Sequence, residues 1–239
     1  MGLAESAPQY EPIKIPLSEP VHGLDSVTGR LGVPEWWPTG ARVSVVIAQA
    51  SIEEDPLLDT LQKALTERKY LTLRFPMPSM AAEKKKPDEP LVMVRTYQAA
   101  MQVLSQDPSA APAYVFAGGK NAGAIAAAHA ATKRMRIQGL FFLGYPLHKQ
   151  GAPKEVRDER LYRIITPMLF VQGSKDRHCE LPALRKTLTR VGAPVQLHVV
   201  EEADHTLHVP KKGPRTQDEV NREVLAVLET WVRKTLGNP

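Results

Sequence analysis

Residues 113–128 read Ala113-Tyr114-Val115-Phe116-Ala117-Gly118-Gly119-Lys120-Asn121-Ala122-Gly123-Ala124-Ile125-Ala126-Ala127-Ala128. A short apolar run, a glycine-bounded turn and a stretch of small helix formers follow one another without a break. This predicts a buried strand that reverses tightly into a helix. The central residue of such a reversal is forced to positive φ, which asparagine tolerates better than most residues. Gly119 and Gly123 leave room for the helix to lie close to the strand.

Gly119-Lys120-Asn121-Ala122-Gly123 has the G-x-S-x-G spacing of a turn that exposes a nucleophile, with Asn121 where serine would stand. A carboxamide is neutral and a poor nucleophile, so the turn keeps the backbone requirement and lacks the reacting oxygen.

Working outward, the pattern alternates. Arg42 to Gln49 is β-branched and nearly continuous in apolar residues, as in a central parallel strand covered on both faces. Asp55 and Pro56 open a helix carrying Leu57, Leu58, Leu61, Ala64 and Leu65 on one face. Further strands are expected at Tyr70 to Phe75, Ile137 to Gly144, Pro167 to Gly173 and Val195 to Val200. Helices are expected at Leu91 to Leu104, Leu181 to Val191 and Thr216 to Leu236. Pro76 to Pro90 reads as a long polar loop. Ile13 to Leu17 and Val27 to Pro34 read as an antiparallel entry at one edge. The pattern predicts an α/β fold: a mostly parallel central sheet with helices on both faces and an antiparallel N-terminal entry. Residues 1–11 are expected to be a flexible N-terminus, and 12–239 a single domain.

Composition narrows the function classes. Net charge is +5 with both signs interspersed, and the densest basic run, Lys84-Lys85-Lys86, is flanked by Glu83, Asp88 and Glu89. Nucleic acid is therefore not the expected partner. The only cysteine, Cys179, excludes an intrachain disulfide and gives no metal-ligand spacing. The N-terminus has no charged segment followed by an apolar one, and no apolar run approaches the ~18 residues of a membrane span. A cytoplasmic protein without a membrane partner is expected.

Sites in such sheets gather at the carboxyl ends of strands. Gln49-Ala50-Ser51, Asn121, Asp176 and His205 all fall there. The order elbow, then aspartate after a strand, then histidine after the last strand resembles the α/β-hydrolases. Gly173-Ser174-Lys175-Asp176 resembles the turn presenting the acid, and Glu202-Ala203-Asp204-His205-Thr206-Leu207 the loop presenting the histidine. Gly144-Tyr145-Pro146-Leu147-His148 and Pro87-Asp88-Glu89-Pro90 are similar to the small branch near dienelactone hydrolase. That branch includes the hydrolase-like domain of the nonspecific lethal chromatin complex's third subunit.

The resemblance implies that Asp176 orients His205, that His205 serves the nucleophile, and that backbone N–H groups near Gln49-Ala50 and at Ala122 hold an oxyanion. It implies no cofactor. Two positions depart from it. The nucleophile position is Asn121, and the first oxyanion loop, usually His-Gly-Ala-Gly, reads Gln49-Ala50-Ser51-Ile52.

Two function classes follow. One is a non-catalytic hydrolase-like protein that binds a small-molecule ligand or a protein partner. The other is an esterase or acyl hydrolase acting through Asp176 and His205 with an unusual nucleophile, Cys179 or Ser51, or a serine hydrolase inactivated at Asn121. A plainer role stands beside each candidate: Cys179 as a core residue, Ser174 as a turn residue, His148 and His178 as loop residues, His129 as packing. Trp36-Trp37 and the Lys84–Lys86 loop are candidate partner surfaces.

Overall fold

The computed structural model describes residues 7–35, 42–49, 55–106, 111–133 and 135–237. The chain runs β1 (Gln9–Val21), β2 (Leu24–Val33), β3 (Val43–Gln49), α1 (Pro56–Glu67), β4 (Leu71–Pro76), α2 (Pro78–Ala81), α3 (Pro90–Val103) and β5 (Tyr114–Lys120). It continues α4 (Ala122–Ala131), β6 (Gly139–Leu143), a 3₁₀ turn (Leu161–Arg163), β7 (Met168–Gly173), α5 (Leu181–Leu188), β8 (Val195–Val200) and α6 (Gln217–Thr235).

The eight strands form one sheet in the order β1-β2-β4-β3-β5-β6-β7-β8. β1 and β2 pair antiparallel, β2 joins β4 antiparallel, and all other pairs are parallel. Chain direction across the sheet reverses between β3 and β5. Their carboxyl ends therefore flank the crevice where such sheets hold their ligands.

Alternate strand residues feed two cores. One packs against α3, α4 and α5 and includes Phe75, Tyr97, Phe142, Tyr145 and Phe170. The other packs against α1 and α6 and includes Ile47, Phe116, Phe141, Leu228 and Trp231. β3, β6 and β7 are covered on both faces, which is why they read as continuous apolar runs.

Two expectations need correction. β1 begins at Gln9, inside the stretch expected to be loose, because Gln9, Tyr10 and Glu11 pair with Val33, Gly32 and Leu31. The Arg30 guanidinium also lies 4.8 Å from the centroid of the Tyr10 ring. The stretch from Pro76 to Pro90 is not simply a polar loop. It contains α2 and buries Met77, Ser79 and Asp88. The Asp88 carboxylate accepts from the Ser79 N–H at 2.9 Å and pairs with His22 Nε2 at 2.9 Å, pinning the loop to the β1–β2 hairpin. A buried carboxylate needs such partners, and a sequence reading of charge alone places it in solvent.

Candidate functional site

Asn121 sits between β5 and α4 at φ 51°, ψ −116°. The turn is held by close packing. A Cβ on Gly119 would overlap the Gly123 carbonyl, and a Cβ on Gly123 would overlap the Ala48 carbonyl of β3. These two glycines let α4 start against the sheet. The Asn121 N–H donates to Leu143 O at 3.0 Å, and its carbonyl accepts from Ala124 N at 3.0 Å, so the helix begins at the turn itself.

The Asn121 carboxamide reaches across the site. With its NH2 turned toward the two nearby carbonyls, it donates to His205 O at 2.7 Å and to Gly144 O at 3.2 Å. The orientation is assigned from these acceptors, since the opposite one sets oxygen against oxygen. Gly144, at φ +64°, allows this approach: a Cβ there would strike the His205 carbonyl. Asn121 thus ties the ends of β5 and β6 to the histidine loop through hydrogen bonds to main chain.

Lys120, one residue earlier, points elsewhere. It is buried, and its Nζ lies 2.7 Å from Asp55 Oδ2. Asp55 also caps α1 by accepting from Leu58 N at 3.2 Å. This ion pair links the elbow to the start of α1. Sequence reasoning gave neither residue that role, because 65 positions separate them.

Asp176 follows β7 and is buried. Its carboxylate accepts from the His178 N–H at 2.6 Å and from Gln172 Nε2. Among the described residues no ring nitrogen donates to it, so His205 acts on it only through space. Burial raises the Asp176 pKa, against the lowering effect of the His178 N–H, the His205 and His178 charges and Gln172. The His178 and His205 rings lie with centroids 5.0 Å apart, tilted by 59°. Gln172 was missed in the sequence. It is fully buried, and its Oε1 accepts from Tyr145 N at 3.0 Å, so it connects the end of β6 to the acid. A polar residue inside an otherwise apolar strand was the available signal.

The loop carrying His205 is built by its neighbour. Asp204 accepts from Thr206 N at 2.7 Å, Thr206 Oγ1 at 2.6 Å and His208 N at 3.0 Å. Burial opposes its charge, but these hydrogen bonds outweigh burial and hold Asp204 below the ordinary aspartate range. Glu202 and Leu207, both at positive φ, bracket the loop.

The remaining candidates are placed as follows. Ala122 opens α4, so its N–H, like the first N–H groups of any helix, has no acceptor within the helix. Gln49 ends β3 and lines a cleft with Arg30, Arg74 and Pro76, on the β4 side of β3 and away from β5. Ala50, Ser51, Trp36 and Trp37 lie outside the described residues. Cys179 is buried, and desolvation followed by the Asp176 charge pushes its thiol pKa up, which keeps it protonated. His148 is buried with both ring nitrogens in use: Nε2 accepts from Glu180 N at 2.9 Å, which leaves the proton on Nδ1 for Lys149 O at 2.9 Å. Among the described residues no group of three or more His, Cys, Asp or Glu side chains could hold a metal ion, and no helix is long and apolar enough to cross a membrane.

Residues 44–233 match the family described as alpha/beta hydrolase domain. That span is most of the chain, and the protein belongs to this family. Three solved structures share the fold. Dienelactone hydrolase from Anabaena variabilis is 18% identical with a TM-score of 0.69, covering 92% of this chain and 97% of its own. An alpha-beta serine hydrolase homologue from Coxiella burnetii is 16% identical at 0.68, covering 91% and 95%. The esterase domain of a Rhodothermus marinus protein is 16% identical at 0.68, covering 95% and 98%.

Proposed function

We propose that this protein binds an ester- or acyl-type small molecule at the carboxyl edge of its sheet and does not cleave it through Asn121. The observation behind this reading is the commitment of the Asn121 carboxamide to His205 O and Gly144 O. The position from which a nucleophile would face the imidazole is filled by a neutral, hydrogen-bonded amide. The partners of Asp176 support the same reading, since its carboxylate serves the His178 N–H and Gln172 rather than the His205 ring. Gly144 to His148 and Pro87 to Pro90 support placement in the small branch near dienelactone hydrolase.

The comparisons weigh toward a second reading, hydrolysis of small esters. The similar solved structures are described as a dienelactone hydrolase, a serine hydrolase homologue and an esterase domain. On this reading Asp176 and His205 act with Ser51 or Cys179, or Asn121 replaces a serine. The burial and raised pKa of Cys179 count against the thiol.

Hydrolysis of p-nitrophenyl acetate and butyrate by the protein, by Asn121→Ser and by His205→Ala separates the readings. The expected result is a protein no faster than its His205→Ala variant. Turnover that disappears in His205→Ala would establish the hydrolase reading and make Ser51 and Cys179 the next residues to replace. His205-dependent turnover appearing only in Asn121→Ser would mean that the nucleophile alone is missing.

A further inference from the structure

Two helical turns beyond Asn121, α4 presents His129 and Thr132 to a cleft of about 300 Å³ whose other wall is the segment before β7. That wall carries Arg157, Arg160 and Arg163, three residues apart in sequence. Arg160 and Arg163 bracket a 3₁₀ turn closed by the Arg163 N–H on Arg160 O at 3.1 Å, and in such a turn residues three apart lie above one another. Leu161 and Ile164 are buried on the inner side and anchor it. The backbone of Arg157 is pinned by its N–H on Leu147 O at 2.8 Å. The three guanidiniums thus sit on a fixed frame.

Their charge is not compensated. Among the described residues, none of the three has a carboxylate oxygen within 4.0 Å. The acid within the same segment, Asp158, is engaged by the hydroxyls of Tyr162 and of Thr187, the latter at 3.1 Å. Glu159 is exposed and lines the same cleft, without an ion pair to any of the three. Arg160 spends one donor on Tyr145 Oη at 2.9 Å and keeps the rest. Elsewhere Arg30, Arg68, Arg74, Arg95, Arg215 and Arg233 pair with carboxylates, while among the described residues the other arginines without such a partner do not share one cleft with two more. With Glu159 the cleft carries three guanidiniums to one carboxylate, a net positive charge that an entering anion relieves.

We propose that this cleft is a binding site for a small phosphate monoester, its dianion held by Arg157, Arg160 and Arg163 with His129 alongside. Guanidinium forks match phosphate oxygens in pairs, and the volume suits a small molecule rather than a polymer. His129 fits this role. Burial and then Arg160 lower its pKa to about 4, so at neutral pH it is uncharged and adds no repulsion. A bound dianion would reverse that bias, favour the imidazolium and supply a further donor.

The test is a titration of the full chain with phenyl phosphate at low ionic strength, following the His129 ring proton by NMR. Inorganic phosphate and phenylacetate serve as comparison probes. Phenyl phosphate should shift the His129 signal saturably and raise its titration midpoint. Arg157→Gln and Arg163→Gln, both at exposed positions with no ion pair among the described residues, should each weaken binding by about tenfold. Equal binding of inorganic phosphate would place all recognition in the phosphate. Three results would overturn the proposal: no saturable shift by about 10 mM phenyl phosphate, undiminished affinity in both arginine variants, or saturation only by phenylacetate. Esterase activity plays no part in the readout, so this site and the carboxyl-edge site fail or stand separately.

Discussion

The elbow and the loops carrying Asp176 and His205 meet at the same edge of the sheet and are held in opposite ways. At the elbow the backbone form is kept, with φ 51° at Asn121 and two glycines in close contact, while the side chain now donates to main-chain carbonyls. On the other side the Asp176 carboxylate accepts from Gln172 and the His178 N–H and makes no hydrogen bond with His205 among the described residues. The backbone of a tight turn is fixed by sterics with its neighbours, whereas a side chain's partner can change without moving the chain. A fold can therefore fix the shape of a turn while the partners of the side chains around it vary.

Four results would break or sharpen that contrast. Lys120→Met leaves Asp55 without its counter-ion beside the elbow and should lower stability by about 3–4 kcal/mol in urea unfolding. A loss under about 1 kcal/mol would mean that water serves Asp55 instead. Gly123→Ala drives a methyl into the Ala48 carbonyl and should cost about 3 kcal/mol by the same measurement. Near-wild-type stability there would remove the steric argument for the elbow. Asn121→Ala loses both hydrogen bonds and keeps a strained φ, for an expected loss of about 2 kcal/mol. If Asn121→Ala is neutral, the carboxamide bridge contributes nothing and the proposed role of Asn121 loses its support.

The smallest effect concerns two carboxylates whose pKa values shift in opposite directions. Asp204, held low, contributes stability above the ordinary aspartate range that is lost as pH falls through its depressed pKa. Asp176, raised mainly by burial, does the reverse. Its folded form takes up a proton first, so stability rises as pH falls through its elevated pKa toward the ordinary value. Carboxyl carbon NMR titration should give midpoints on opposite sides of the ordinary aspartate value. At neutral pH, Asp176→Asn should change stability by no more than about 1 kcal/mol, because the lost charge offsets the disturbed hydrogen bonds.

Much of this was written locally in the chain. The β5–turn–α4 unit, the continuous apolar strands and the faces of α1 and α6 follow from periodicity, caps and glycine placement. Thr216 even forms the reciprocal hydrogen bonds with Glu219 that its spacing to an acid three residues later allows. The burial of Asp88 was not legible, since its partner His22 comes from the distant β1–β2 hairpin. The Gln172–Tyr145 contact and the Lys120–Asp55 pair escaped for the same reason, whereas Asp204 accepts from Thr206 and His208 of its own loop.

The sequence by itself therefore determined the order of the main strands and helices, the glycine spacing of the elbow, and the absence of a serine at position 121. These depend on neighbours a few residues apart, where backbone sterics and hydrophobic spacing act. Only the tertiary structure decided where the Asn121 carboxamide points, which donors Asp176 accepts, and which cations remain without a counter-ion. Those outcomes depend on groups brought together from distant segments once the sheet is assembled, and on burial that makes each unpaired polar atom costly.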